Sequence, residues 1–271
     1  MFKVIESPER AETLSATFLQ GLVAWFEGYT AGFPQDDPEL AFGFTLKVEH
    51  TRRTVTLMRE LAAAEGLEVN LACACALLHD LGRFPQLLRY RTFVDAKSVN
   101  HASLSCDVLD AQQVLRGLDA TRIQIIRGSI LQHNARVLPE GLDPGILPYA
   151  HALRDADKLD ILFIHISGHE AGLPPERIPG HRLPDNGHIS PAVLEAVRLG
   201  RPLARSELTS LDDAKLLLAG WLHDLNTRRA CQVFQEECYL ERLFALLPQE
   251  ETLAQLYRQL RAHLEARSGL R

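Results

Sequence analysis

Four histidines and two aspartates in this 271-residue chain stand in an order that suits metal chemistry. They are His50 in KVEHTRR, His79-Asp80 in LLHDLGR, His101 in VNHASLS, His133 in ILQHNAR and Asp157 in RDADKLD. The groups follow one another at intervals of 29, 22, 32 and 24 residues. Zinc-finger ligands come in close pairs, so intervals this long exclude a finger. They suit a helical bundle in which each helix turns one ligand inward and the site assembles in the core. Four imidazoles and two carboxylates make a mixed nitrogen and oxygen shell, which fits iron, manganese, nickel or zinc better than magnesium alone. Asp80 has two oxygens and can bridge two metals about 3.5–4 Å apart, and water shared between such metals becomes a nucleophile near neutral pH. A His-Asp pair alone says little: a second one, His223-Asp224 in GWLHDLNTRR, lacks such company and reads as structure.

The elements that must position these residues read as helices. Leu14, Phe18, Leu19, Leu22, Trp25 and Phe26 share one face of a stretch from Glu12 to Phe26, and the Pro/Gly/Asp-rich segment Ala31 to Pro38 stops it. Further helical periods run near Glu39–Ala64, Val69–Leu81, Ser98–Arg116, Ala120–Ala135 and Leu147–Ile166. No hairpin pattern is present, and Asn186-Gly187 lies inside a proline-rich loop. Ser190-Pro191 looks like a helix start, and two long helices, Asp212–Leu246 and Glu250–Ala266, follow. The fold class is all-α, one unit over residues 1–271. Its metal-site core spans about 40–166, a long loop 167–190, and C-terminal helices 191–271.

Apolar residues make up 46% and charged residues 24%, the balance of a globular protein. The net charge of −6 argues against a nucleic-acid polymer as partner, because phosphate backbones demand a basic face. The longest apolar run, Leu71–Leu78, is far too short to cross a bilayer. The opening MFKVIESPERAE turns polar at once and carries no secretory pattern, so the expected location is the cytoplasm, and the five cysteines read as small buried hydrophobes.

The order His, then His-Asp with Gly-Arg after it, then His, His and Asp resembles the HD-domain superfamily of metal-dependent phosphohydrolases. The wording LLHDLGRFPQLLRYRTF, DAKSVNHA, QHN and RDADKLDIL is similar to an uncharacterised bacterial subgroup of HD-domain proteins. The resemblance implies an HD-domain helical bundle with a C-terminal helical extension. It makes His50, His79, Asp80 and Asp157 the core metal ligands, with His101 and His133 completing a second metal position. The implied cofactor is a divalent transition metal, one or two per chain, with magnesium also accepted. Many members carry lysine where this chain has Arg83, and some carry a His-His pair where it reads His133-Asn134. The Gly-Tyr-Pro signature of the cyclic-dinucleotide phosphodiesterase branch is absent. The family pattern selects Asp157 over Asp155, which lies roughly 200° around a helix and pairs more naturally with Arg154 or Lys158. Asp160 reads as solvated or as a local ion-pair partner.

In an acidic chain, a local basic cluster is informative. Arg83, Arg89, Arg91 and Lys97 fall between the His-Asp motif and His101 and could bind a substrate phosphate. Arg83 and Lys97 flank ligands directly and, with Asp80, form the expected catalytic group. The expected activity is hydrolysis of a small phosphate ester or nucleotide through metal-activated water. Two other readings keep the same residues: a di-iron oxygenase of the HD type, and a non-catalytic metal or nucleotide sensor. The C-terminal helical pair also suits a homodimer face.

Overall fold

Side-chain caps set several of the helix starts. Ser15 Oγ accepts from the Phe18 amide and opens α1 (Ala16–Ala31). Asp37 accepts from the amides of Glu39 and Leu40, and with Pro38 at the first position it opens α2 (Pro38–Ala64). α3 (Val69–Leu78) and α4 (Arg83–Tyr90) follow, and a short 3-10 turn at Asp95–Lys97 leads to α5 (His101–Ala111), capped by Asn100. Asp119 caps α6 (Ala120–His133), and α7 runs over Leu147–Glu170. The computed structural model describes residues 13–174, 177–178 and 183–270. The opening segment through residue 12 therefore lies outside the described residues.

α3 is buried at Leu71 through Leu78, which explains why its sequence is apolar on every side. It is central: α2, α6 and α7 pack around it, with α1 on the outside and α5 against α6. The C-terminal part comprises α8 (Pro191–Arg198), α9 (Leu211–Gly220), α10 (Arg228–Glu236), α11 (Tyr239–Ala245) and α12 (Glu251–Ser268). α10 and α11 pack on α7, so one hydrophobic cluster runs from Leu14 to Leu264. Among the described residues there is no strand, and the fold is all-α. No helix among them is long and apolar enough to cross a membrane.

Three departures from the sequence reading have physical causes. α4 was not expected, yet Pro85 sits in its first turn, where a missing N–H costs nothing. Phe84 anchors this helix in a nest of Phe26, Tyr29, Phe33 and Phe44 contributed by α1, α2 and the loop between them. The expected helix over Asp212–Leu246 is broken into three, with a 3-10 turn at Trp221–Asp224 after α9. The break is held by buried Asp155, whose carboxylate accepts from the amides of Asn226 and Thr227 and from the Asn226 side chain. Asp155 thus pairs with neither Arg154 nor Lys158. The cysteines are free, and four are buried, but Cys238 is exposed in a left-handed turn before α11.

Candidate metal centre

Five elements bring the six candidate residues to one place. His50 comes from the middle of α2, and His79 and Asp80 from the turn that ends α3. His101 is the first residue of α5, His133 the last of α6, and Asp157 lies in the middle of α7. Three of the five are helix ends, so the centre lies where backbone direction changes. The turn after α3 is locked to α5 by Ser105, whose hydroxyl accepts from the Gly82 amide and donates toward the carbonyls of His79 and His101.

The imidazole Nε2 atoms and the carboxylate oxygens face one another. His50 Nε2 lies 3.3 Å from His79 Nε2, 3.1 Å from Asp157 Oδ1 and 3.5 Å from Asp80 Oδ2. On the other side, His101 Nε2 lies 2.9 Å from His133 Nε2, and these two stand 3.5 and 3.7 Å from Asp80 Oδ1. Asp80 therefore stands between two groups of ligating atoms and presents one oxygen to each. Two three-residue sets have the spacing to hold a metal ion, His50–His79–Asp157 and His79–Asp80–His133. His101 joins through its contact with His133.

Every one of the four Nδ1 atoms already has an acceptor. His50 Nδ1 donates to Asp160 at 2.6 Å and His101 Nδ1 to Asp95 at 2.7 Å. His79 Nδ1 donates to the Ala76 carbonyl at 2.7 Å and His133 Nδ1 to the Ile130 carbonyl at 2.6 Å. This fixes the tautomer, because an imidazole that gives its Nδ1 proton away presents an Nε2 lone pair. The centre then holds four lone pairs pointing at one another and at two carboxylates. Asp80 Oδ1 is buried with no hydrogen-bond partner, which a cation would supply. On these grounds the residues fit a divalent metal.

Electrostatics favour the ligand forms. Burial pushes the His79 imidazole down to about 3. Burial, with the Arg83 charge nearby, pushes His101 down to about 4. Burial works against the charge on Asp80, but Lys47 and His79 overcome it and hold the carboxyl well below its usual range. His50 goes the other way. Burial and Lys47 oppose its charge, yet Asp157 and Asp160 outweigh them and raise it. A metal ligand must present its imidazole unprotonated, so these two carboxylates make metal binding at His50 compete with a proton.

Several residues at the site escaped the sequence reading. Lys47 donates to Asp80 Oδ2 at 2.6 Å. Asp160, expected at the surface or in a local ion pair, is buried and holds His50 Nδ1, with Arg53 bound to its other side at 2.5 Å. Asp95 holds His101 and is itself held by Arg83 and Gln86. The spacing was legible: Lys47, His50 and Arg53, like Asp157 and Asp160, recur every three residues on one helix face. Asp160→Asn keeps the shape but turns an amide toward His50 or Arg53. Metal affinity is expected to fall about 10–100-fold. Titration against a competing chelator measures this, and an unchanged affinity would remove Asp160 from the site.

The basic residues divide. Arg83 faces Asp80 Oδ1 with its Nε at 3.5 Å, and this buried Nε has no hydrogen-bond partner. Arg91 forms a surface pair with Asp37, and Arg89 and Lys97 are exposed. A cavity of about 460 Å³ opens beside the centre, lined by the candidate ligands His133 and Asp157 and by residues of α7 and the C-terminal part. None of Arg83, Arg89, Arg91 and Lys97 lines it. Asp224, from the second His-Asp pair, does, bound to Arg154 at 2.8 Å and to Lys158 at 3.0 Å.

Comparison with known proteins agrees with this geometry. Residues 48–162 match the family described as HD domain, a span that contains all six converging side chains. No curated protein and no solved structure matches the chain. Over residues 48–162 the chain carries an HD domain.

Proposed function

We propose that this protein is a metal-dependent phosphohydrolase acting on a small phosphate ester. His50, His79, Asp80, His101, His133 and Asp157 hold one or two divalent transition metals. The superfamily is of metal-dependent phosphohydrolase type, and the His/Asp cluster is compatible with a metal site. The observation that carries the reading is the shared tautomer: all four Nδ1 atoms donate outward, so four Nε2 lone pairs converge on the two oxygens of Asp80 and on Asp157. A divalent metal bound there polarises a phosphoryl oxygen and brings the pKa of water toward neutrality.

The chain's own residues do the rest. Asp160, Asp95 and the carbonyls of Ala76 and Ile130 fix the four rings, so no reorganisation is needed when charge develops. Arg83 Nε, buried beside Asp80 and free of a hydrogen-bond partner, is a donor available to a phosphoryl oxygen. His133 is buried and Asp157 only 16% exposed where both line the cavity, which would partly shield the reacting end of the ester from bulk water.

The test combines metal content per chain, by plasma mass spectrometry, with phosphate release from p-nitrophenyl phosphate. One or two equivalents of a transition metal are expected, with release abolished by chelator and restored by metal. No binding after reconstitution, or release indifferent to chelator, would overturn the reading. Chelator-sensitive consumption of O₂ without phosphate release would replace it with the oxygenase chemistry.

A further inference from the structure

α7 presents Arg154, Asp157, Lys158 and Ile161 to the cavity, and the 3-10 turn at Trp221–Asp224 closes it from the C-terminal side with Trp221 and Asp224. Its volume, about 460 Å³, is that of a small-molecule site. The charge on its wall opposes that of the whole chain. Arg136, Arg154, Lys158 and Arg201 line it against Asp157 and Asp224; Arg154 and Lys158 bind Asp224, and Arg201 is already committed to Glu207.

Arg154 and Lys158 are deeply buried, with 3% and 10% of their side chains exposed, and both bind one carboxylate oxygen, Asp224 Oδ2. Asp224 is 44% exposed and sits on a short turn. Arg154 is held rigid from its other side, since its Nη1 donates to the carbonyls of Gln132 and Ala135 at the end of α6. Its Nη2 donates to Asp224 Oδ2, and both residues line the cavity. Buried cations need an anionic partner, and here the partner is the one member of the trio that water can take back. We propose that Arg154 and Lys158 form an oxyanion subsite for a second negative group on the substrate, a carboxylate or a phosphate other than the scissile one. Asp224 is the stand-in which that group displaces.

This rests on the hydrolase reading only for placing the scissile phosphate at Asp157. Arg154 lies three residues before Asp157 and Lys158 one after it, so an anion on the two cations sits beside the metal centre, within reach of a small substrate. Ile161 and Trp221 offer apolar wall for the carbon skeleton between the charges. Because the stand-in comes from outside the HD domain, the C-terminal helices take part in choosing the substrate.

Non-hydrolysable probes test this by titration calorimetry on the metal-loaded protein. Phenylphosphonate carries one anion, 4-phosphonobenzoate adds a carboxylate, and benzene-1,4-diphosphonate adds a phosphonate. Either or both of the two-headed probes should bind about tenfold or more tightly than phenylphosphonate, as expected for a charge-assisted hydrogen bond. The stronger of them identifies the second group. Lys158→Met should erase the preference, and Asp224→Asn, which keeps the side-chain shape at a 44% exposed position and removes the competing charge, should enlarge it. Equal affinities in the wild type, a preference that survives Lys158→Met, or one that fails to grow in Asp224→Asn would overturn the subsite. Turnover of 4-carboxyphenyl phosphate separates the two readings. No phosphate release with the binding preference intact sinks the hydrolase and leaves the subsite, whereas release with equal affinities sinks the subsite alone.

Discussion

Replacing Asp80 by alanine is expected to remove bound metal and to lower phosphate release by at least about 1,000-fold, while the helical circular dichroism stays that of the parent. The size of the effect follows from what its two oxygens face. Oδ2 meets Lys47 at 2.6 Å and both His50 and His79 at 3.5 Å, whereas Oδ1 meets His101 at 3.5 Å and His133 at 3.7 Å. Among the described residues, no other carboxylate lies within ion-pair distance of both groups of imidazoles. Alanine leaves Lys47 and Arg83 in place without their shared carboxylate, so the remaining field repels a cation and disfavours binding further. The helices persist because their contacts are apolar: α3, which ends one residue before His79, is buried from Leu71 to Leu78. Asp80→Asn is the informative companion, since it keeps the shape and loses the charge. Its metal affinity should fall between those of the parent and the alanine variant. Retention of metal and activity in Asp80→Ala would refute the centre as drawn.

The candidate centre was legible because ligand spacing and helix spacing coincide. Each imidazole lies on a different helix or at its end, so four intervals of 22–32 residues could be converted into helices pointing at one core. The supporting residues were less legible for a physical reason. Asp160, Asp95 and Lys47 are ordinary charged residues by type, and only their burial against His50, His101 and Asp80 shows what they do. A charge on an amphipathic helix reads as solvated unless the neighbouring helix is known.

The C-terminal part was less legible for a related reason. Local periodicity carries the chain from Asp212 to Leu246 as one helix, but the break near Asn226 is decided by Asp155, 71 residues earlier in the chain. Nothing local encodes that contact beyond Thr227, which caps α10 through the Ala230 amide. The same long-range packing brings Asp224 of the second His-Asp pair onto Arg154 and Lys158. That pair lacks a metal-ligating company in sequence, and its role in the cavity rests on cations supplied by α7.

Gly82→Ala is expected to cost about 2–4 kcal/mol and to lower the melting temperature by roughly 2–4 °C for each of them, with metal lost first from the His101–His133 side. The glycine is not there for its dihedral angles, since its φ of −64° suits any residue. It is there for space: a Cβ would stand 2.3 Å from the His101 carbonyl oxygen and 2.6 Å from the Ser105 amide nitrogen. Both are backbone atoms, so no side-chain rotation relieves the clash, and either α5 or the turn after α3 must move. α5 begins with His101, and the turn carries Asp80, so the displacement opens the 3.5 Å approach between them and strains the Ser105 bonds that tie the two together. Gly21→Ala is the control. It lies within α1 with nothing near its added methyl, and there alanine should be neutral or stabilising by up to about 1 kcal/mol. Thermal unfolding of both variants with and without metal separates the two consequences. A Gly82→Ala protein that melts with the parent and keeps full metal content would show that the turn and α5 can part without disturbing the centre.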